Sequence, residues 1–419
     1  MTNNIFEILE EYKGMTLGLS RIGGFLESIG NPQNKLKVIH IAGTNGKGST
    51  ASFISGICKA GGYKTALYTS PHLVNITERI KVNDVEVSRK IFDNLSKNYL
   101  TNALKYRLSY FEYLTSLAFI YFADLKVDIA VVETGLGGSF DATNVIEKPL
   151  ICIITSVSKE HQEILGTSIK EIAFEKAGII KKKSYVICGK LPPKAISIVE
   201  GKATPYLYGR DFRSMNSKYG EYGQKFDYLS TDISLADVGV QLLGDHQLVN
   251  ASVAIFAAEL LNKKGYYLNE VSIRTGLSST IWRGRFDIRK VVWRSKIFKL
   301  IMDGAHNIES INAFFRTFEQ LGFSRKKRVF IFAIMKEKKY EYIIKKIAFF
   351  AKRIILLKVN NNRTLSHDIL KKEFSKYVEH NKVFAVDSVE DVFDKIDSNE
   401  VVVAVGSLYL IGELLKYIE

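Results

Sequence analysis

Lys47 sits in a glycine-dense stretch, Gly43-Thr44-Asn45-Gly46-Lys47-Gly48-Ser49-Thr50, directly after Val38 to Ala42, which reads as a buried strand. Glycines let backbone N–H groups turn inward, and a helix that follows adds positive potential at its N-terminus. The run Ser49 to Lys59, with Ala51, Phe53, Ile54, Ile57 and Cys58 on one side, supplies that helix. Lys47 reaches a terminal phosphate from such a loop, and Ser49 or Thr50 can place a hydroxyl on Mg²⁺. The spacing departs from the usual phosphate loop. Two residues separate Gly43 from Gly46, and Gly48 falls between Lys47 and Ser49. The plainer reading is a turn that only joins strand to helix.

Ligands of open parallel sheets bind beyond the carboxyl ends of the strands. The residues expected there are Ser70-Pro71-His72, Glu133, His161 and the run Asp303-Gly304-Ala305-His306-Asn307. Glu133 closes an apolar strand, where a buried acid needs a partner and Mg²⁺ is a natural one. Its alternative is a turn-forming glutamate bonded to glycine N–H groups. Lys176, in F-E-K-A-G-I, lies on an apolar helical stretch and is otherwise read as a snorkelling lysine. His306, Asp303 and Asn307 could equally cap a helix.

The elements that must position these residues alternate. Strands are expected at 64–70, 128–134, 150–156 and 184–189, and helices at 5–12, 19–29, 91–104, 112–125, 168–177 and 247–263. The near-continuous apolar strands imply a mainly parallel sheet covered on both faces. From 205 to 240 the pattern shortens into a small antiparallel excursion. The joint between domains is placed at 278–289. A second βαβ series follows, with strands at 298–302, 328–334, 353–359, 382–386 and 401–405 and helices at 311–321 and 340–351. The fold class is α/β, in two doubly wound domains: an N-terminal P-loop ATPase domain, residues 1–284, and a smaller C-terminal Rossmann-like domain, residues 285–419.

The 419 residues exceed one ordinary hydrophobic core, and a 46% apolar content is enough for two. The net charge of +15 favours anionic ligands. The basic residues are nevertheless spread over helix faces, with no aromatic-basic interleaving, so no nucleic-acid partner is expected. Cys58, Cys152 and Cys188 sit singly in apolar runs, which gives no disulfide framework and no zinc site. Without a signal peptide or a membrane-length apolar run, a cytoplasmic protein with no membrane partner is expected.

The sequence resembles the folylpolyglutamate synthase/dihydrofolate synthase family of the Mur-ligase superfamily. The matching stretches are G-T-N-G-K-G-S-T (43–50), T-S-P-H-L (69–73), E-R-I (78–80), S-Y-F-E-Y-L-T (109–115) and E-T-G-L-G-G-S-F-D-A-T-N (133–144). They continue with E-H-Q-E-I-L-G (160–166), I-A-F-E-K-A-G-I-I-K (172–181), G-D-H-Q-L-V-N-A (244–251), W-R-G-R-F (282–286), D-G-A-H-N (303–307) and G-S-L-Y-L-I-G-E (406–413). They run through the chain in family order.

The resemblance implies an ATP-dependent ligase that adds L-glutamate to a folate, to dihydropteroate, or to both, through an acyl phosphate. ATP is co-substrate and two Mg²⁺ ions are implied. Gly43 to Thr50, Asn250, Arg285 and Asp303 would bind the nucleotide. Ser49, Ser70, Glu133 and His161 would hold metal. Lys47, Lys176 and His306 are the catalytic candidates, Lys176 resembling a lysine carbamylated by CO₂. Ser109, Tyr110, Phe111, Glu112 and Phe140 would line the pterin-bearing substrate. The resemblance also implies a monomer.

Two positions depart from the pattern: Ser139 stands where many relatives have Arg, and Glu160 where they have Asp. A peptidoglycan-type ligase would need a further N-terminal domain, for which the residues before Val38 are too few. The alternative from another class is a non-ligase nucleotide-binding ATPase stimulated by an anionic polymer.

Overall fold

The computed structural model describes residues 18–418; the helix expected at 5–12 lies outside them. The described chain divides into two compact units. Unit 1 contains residues 18–217, 226–240 and 247–280, and unit 2 contains 218–225, 241–246 and 281–418.

Unit 1 is built on an eight-stranded sheet. Its strands are β1 (Val38–Ala42), β2 (Thr65–Tyr68), β3 (Ile80–Val82), β4 (Val85–Glu86), β5 (Ile129–Glu133), β6 (Ile151–Ile154), β7 (Tyr185–Cys188) and β8 (Tyr206–Leu207), in the order β4-β3-β2-β5-β1-β6-β7-β8. From β2 to β8 neighbouring strands are parallel. β1, β2, β5 and β6 are buried throughout, which is why they read as mainly apolar runs, with His40 the one polar residue inside them and Thr65 and Glu133 at strand ends. Helices cover them: α1 (Lys47–Ala60), α2 (Tyr110–Asp124), α3 (Ile169–Lys176), α4 (Asp245–Asn262) and α5 (Glu270–Ser279) among others. α2 and α4 carry apolar residues nearly all round and bury most of them.

The loop before α1 is set by glycine. Gly46 caps the helix at φ 86°, a left-handed conformation, and a Cβ there would meet Asn250 Oδ1 at 2.6 Å. α2 starts with a capping box. Ser109 Oγ accepts from the Glu112 N–H at 3.4 Å, and Glu112 Oε2 accepts from the Ser109 N–H at 2.8 Å. Losing such a cap costs about 1 kcal/mol.

Unit 2 carries a six-stranded sheet: β12 (Asp287–Trp293), β13 (Lys296–Asp303), β14 (Arg328–Phe332), β15 (Ala351–Leu357), β16 (Val383–Val386) and β17 (Val401–Val405), ordered β12-β13-β17-β14-β15-β16. All pairs are parallel except β12 with β13. One face is packed by α6 (Ile308–Gln320), whose Phe314, Phe315 and Phe318 join Phe330 and Phe350 in an aromatic core.

Three features differ from the sequence expectation. The expected joint contains part of a regular strand, β12. The residues after Ser70 form the antiparallel edge pair β3 and β4, which short segments hid. The region 205–240 is not wholly an excursion, since β8 extends the main sheet in parallel, and only β9 (Phe212–Gly220), β10 (Gly223–Ser230) and β11 (Ser234–Val240) form a separate sheet.

Candidate active site

In unit 1 the glycine loop is laced to the segment after β6. Thr44 N donates to Ser156 O at 2.9 Å, Asn45 N to Ser156 Oγ at 2.8 Å, and Thr155 Oγ1 to Asn45 O at 2.7 Å. The Ser158 N–H reaches Thr44 Oγ1 at 3.0 Å. A Cβ on Gly43 would lie 1.9 Å from Thr155 Oγ1, so this close approach demands glycine. Lys47 folds back over the loop, its Nζ donating to Gly43 O at 3.1 Å and Thr44 O at 3.4 Å. Ser49 and Thr50 are buried in the first turn of α1, and Thr50 Oγ1 has no hydrogen-bond partner.

Glu133 ends β5 and is buried. Its Oε1 lies 3.8 Å from Lys47 Nζ, and its Oε2 accepts from the Ser70 N–H at 3.3 Å. Phe111 covers the next turn, its ring 2.5 Å from where a Gly135 Cβ would be. This donor set fits Mg²⁺. Glu133 is a hard carboxylate, and Ser49 and Ser70 bring hydroxyls. Among the described residues no cluster of three or more His, Cys, Asp or Glu forms a closed metal cage. Mg²⁺ does not require one, because it is commonly held by one or two carboxylates together with substrate phosphates. His161 sits at φ 51°, ahead of a short helical turn, with its Nε2 4.0 Å from Glu160 Oε1.

Lys176 is buried at the end of α3 rather than snorkelling. Its pKa is lowered to about 7, first by burial and then by the Lys47 charge, while Glu160 and Asp141 act the other way. The loop 135–144 packs on it. Ser139 N and Oγ donate to Glu175 O at 2.9 and 3.2 Å, and a Cβ on Gly138 would lie 2.6 Å from that same oxygen. Phe140, on this loop, is 51% exposed and available to a ligand. Asn250 lies against Gly46, with its Nδ2 donating to Gln247 Oε1 at 3.0 Å.

In unit 2, Asp303 ends β13. Its Oδ2 accepts from the Phe286 N–H at 2.9 Å and its Oδ1 from the Ala305 N–H at 2.8 Å. Burial raises its pKa, opposed first by the Arg285 charge. His306 Nδ1 lies 2.7 Å from Gly304 O, and Asn307 caps α6 through the Ser310 N–H at 2.8 Å. Arg285 and Asp303 are therefore neighbours, with the carboxylate turned towards backbone.

The expected residues of unit 1 thus assemble around Lys47: Gly43 to Thr50, Asn250, Glu133, Ser70 and Lys176. The substrate-end group is split. Phe111 reaches the turn after Glu133, and Tyr110 stacks near the Arg79 guanidinium at 5.8 Å. Ser109 and Glu112 are occupied as the helix cap, and Glu112 also pairs with Arg21 at 3.1 Å. Sequence reasoning passed over Thr155, Ser156 and Ser158, although the strand-end rule that selected Glu133 points to them as well.

A family model described as the Mur ligase middle domain matches residues 41–258, and one described as the Mur ligase glutamate ligase domain matches residues 284–408. The dihydrofolate synthase/folylpolyglutamate synthase of Bacillus subtilis (strain 168) is 33% identical over 427 aligned residues, covering 96% of this chain and 95% of that protein. The dihydrofolate synthetase of Saccharomyces cerevisiae is 32% identical, covering 96% and 97%. The solved folylpolyglutamate synthase of Thermotoga maritima aligns with a TM-score of 0.85 at 31% identity, covering 100% of this chain and 97% of that one. A structure described as an FPGS–AMPPCP–folate complex aligns with a TM-score of 0.83 at 30% identity, covering 99% and 98%.

Proposed function

The chain belongs to the Mur ligase family, among its folylpolyglutamate and dihydrofolate synthases, and from this premise we propose how its own residues perform an ATP-dependent glutamate ligation. The substrates are ATP, L-glutamate and a carboxylate carried by a folate, by dihydropteroate, or by both. The meeting of Lys47 and Glu133 at the mouth of the glycine loop carries the reading.

A carboxylate is a poor acylating agent at neutral pH and must be activated. The loop N–H groups and the N-terminus of α1 hold the ATP phosphates, and Lys47 turns its ammonium from Gly43 O and Thr44 O towards the γ-phosphoryl. Ser49, Ser70, Glu133 and His161 would hold two Mg²⁺ ions, which would supply neutralisation of phosphate charge. The folate-side carboxylate takes the γ-phosphoryl, which gives an acyl phosphate and ADP. The glutamate amine then displaces phosphate and forms the amide. Phe111 and Phe140 offer apolar surface to the pterin-bearing end.

Lys176, with its pKa lowered to about 7, is about half neutral near pH 7, and the neutral amine is the form that reacts with CO₂ to give a carbamate and a proton. The carbamate carries a negative charge in place of a positive one. Arg285, Asp303 and His306 lie together within unit 2, and the role we assign to them is nucleotide recognition.

The chain acts as a monomer in the cytoplasm. Its three cysteines are buried and free, which suits a reducing compartment, and among the described residues no helix is long and apolar enough to cross a membrane. No observation favours the polymer-stimulated ATPase. The test is glutamate-dependent ADP release by purified protein with ATP and Mg²⁺, comparing dihydropteroate with a tetrahydrofolate. Release that ignores glutamate and both acceptors would overturn the reading.

A further inference from the structure

His40 lies in the middle of β1, fully buried, in register with Val132 of β5 and Cys152 of β6. Its same-face neighbours on the strand, Val38 and Ala42, are apolar, and an apolar residue would suit position 40 equally well. Burial, with the Lys181 charge second, lowers the ring's pKa to about 3, so the imidazole is neutral.

Its Nε2 lies 2.8 Å from Thr143 Oγ1, while its Nδ1 is buried without a hydrogen-bond partner. The direction of that bond follows from proton counting. Thr143 has one hydroxyl proton and gives it to Asp141 Oδ1 at 2.5 Å. The Asp141 carboxylate also accepts from the N–H groups of Thr143 at 3.0 Å and Leu136 at 2.8 Å. While the Asp141 carboxyl is ionised, Thr143 Oγ1 accepts from His40, whose Nε2 then carries the proton and whose Nδ1 is a bare acceptor. A residue that leaves a buried acceptor unpaired is placed for what its other nitrogen holds.

What it holds is the loop 135–144. Asp141 gathers the loop's backbone, and Asn144 Nδ2 ties it to Ser139 O at 2.9 Å and Gly178 O at 3.3 Å. Ser139 fastens it to Glu175, next to Lys176. We propose that His40 is a positioning residue: through Thr143 and Asp141 it fixes loop 135–144, and with it the placement of Phe140 against the pterin-bearing substrate. The proposal rests on the functional reading above in that Phe140 meets that substrate. His40 acts from the central strand that ends at the glycine loop, yet its effect falls on the other substrate.

The experiment compares His40→Leu, Thr143→Val, their double variant and His40→Gln, whose amide carries an N–H donor about as far along the side chain as Nε2 does. His40→Leu and Thr143→Val are expected to raise KM for the folate-side substrate roughly tenfold and leave KM for ATP unchanged. The double variant should be no worse than either single one, since both cut the same chain of bonds. His40→Gln should stay within about twofold of the parent.

Amide hydrogen exchange of the substrate-free protein reads the same claim without activity: exchange at 136–144 should quicken in His40→Leu and Thr143→Val but not in His40→Gln. Equal rises in both KM values, a glutamine variant as impaired as the leucine one, or unchanged exchange would overturn the proposal. Parent protein that joins glutamate to neither acceptor would remove the functional reading instead, and the exchange comparison would still decide the role of His40.

Discussion

The Lys47 ammonium stands 3.8 Å from the Glu133 carboxylate, with side-chain exposures of 16% and 5%. Lys47 is held at this distance by the carbonyls of its own loop, and Glu133 by the Ser70 N–H. The two charges play opposite parts towards a phosphate. Lys47 attracts it, whereas Glu133 repels it until a cation lies between them.

Replacing Lys47 by Ala removes the attraction and leaves the loop carbonyls without their donor. Glutamate-dependent ADP release should fall about 10²- to 10³-fold, the scale seen when one preorganised donor is lost. Steady-state turnover measures this, and a variant with normal turnover contradicts the assignment.

Glu133→Gln keeps the shape and removes the charge. The Mg²⁺ concentration giving half-maximal rate should rise at least roughly tenfold, since even outer-shell partners of a metal carry that much. A Mg²⁺ titration that overlays the parent curve would show that Glu133 is only a turn residue.

Lys176 gives a prediction with a definite sign. Its pKa falls from 10.5 to about 7 on folding, so between those values the unfolded chain holds a proton that the folded chain has released. Stability therefore rises with pH across that window, and the cost is fully present below about 7. Denaturant midpoints at several pH values should show this rise in the parent and a flatter profile in Lys176→Met. Lys176→Ala should lose activity, and acetate or propionate should partly restore it. A fully active alanine variant without any additive would end the carbamate reading.

Asp303→Asn leaves either the Phe286 or the Ala305 N–H facing an amide NH₂ instead of an oxygen. The expected loss is about 1–3 kcal/mol in the stability of unit 2, together with a higher KM for ATP as Arg285 loses its neighbour. Thermal unfolding and an ATP titration read the two effects separately. A stable variant with a raised KM for ATP would mean that the carboxylate serves the nucleotide directly rather than the backbone.

The sheets were legible because β1, β5, β6 and β17 are buried almost throughout and, His40 and the terminal Glu133 apart, carry no polar residues to interrupt the run. The edge pair β3 and β4 was not, because strands of two or three residues carry no period to read. Glu133 and Asp303 were found by one rule, that a strand ending on an acid presents it to a ligand. For Asp303 that rule missed the two N–H groups that engage the carboxylate first. Ser109 and Glu112 follow the capping-box pattern S-x-x-E, a local signal that the family resemblance overrode. His40 was read as one more strand residue, since nothing local marks a partner 103 residues away.

The central claim is that this site activates a carboxylate with the γ-phosphoryl of ATP. It is tested most directly with a folate-side acceptor labelled with ¹⁸O in its carboxylate, incubated with ATP, Mg²⁺ and glutamate. The account predicts that one labelled oxygen per amide formed appears in inorganic phosphate; amide formation with all the label retained in the product or in water would contradict it.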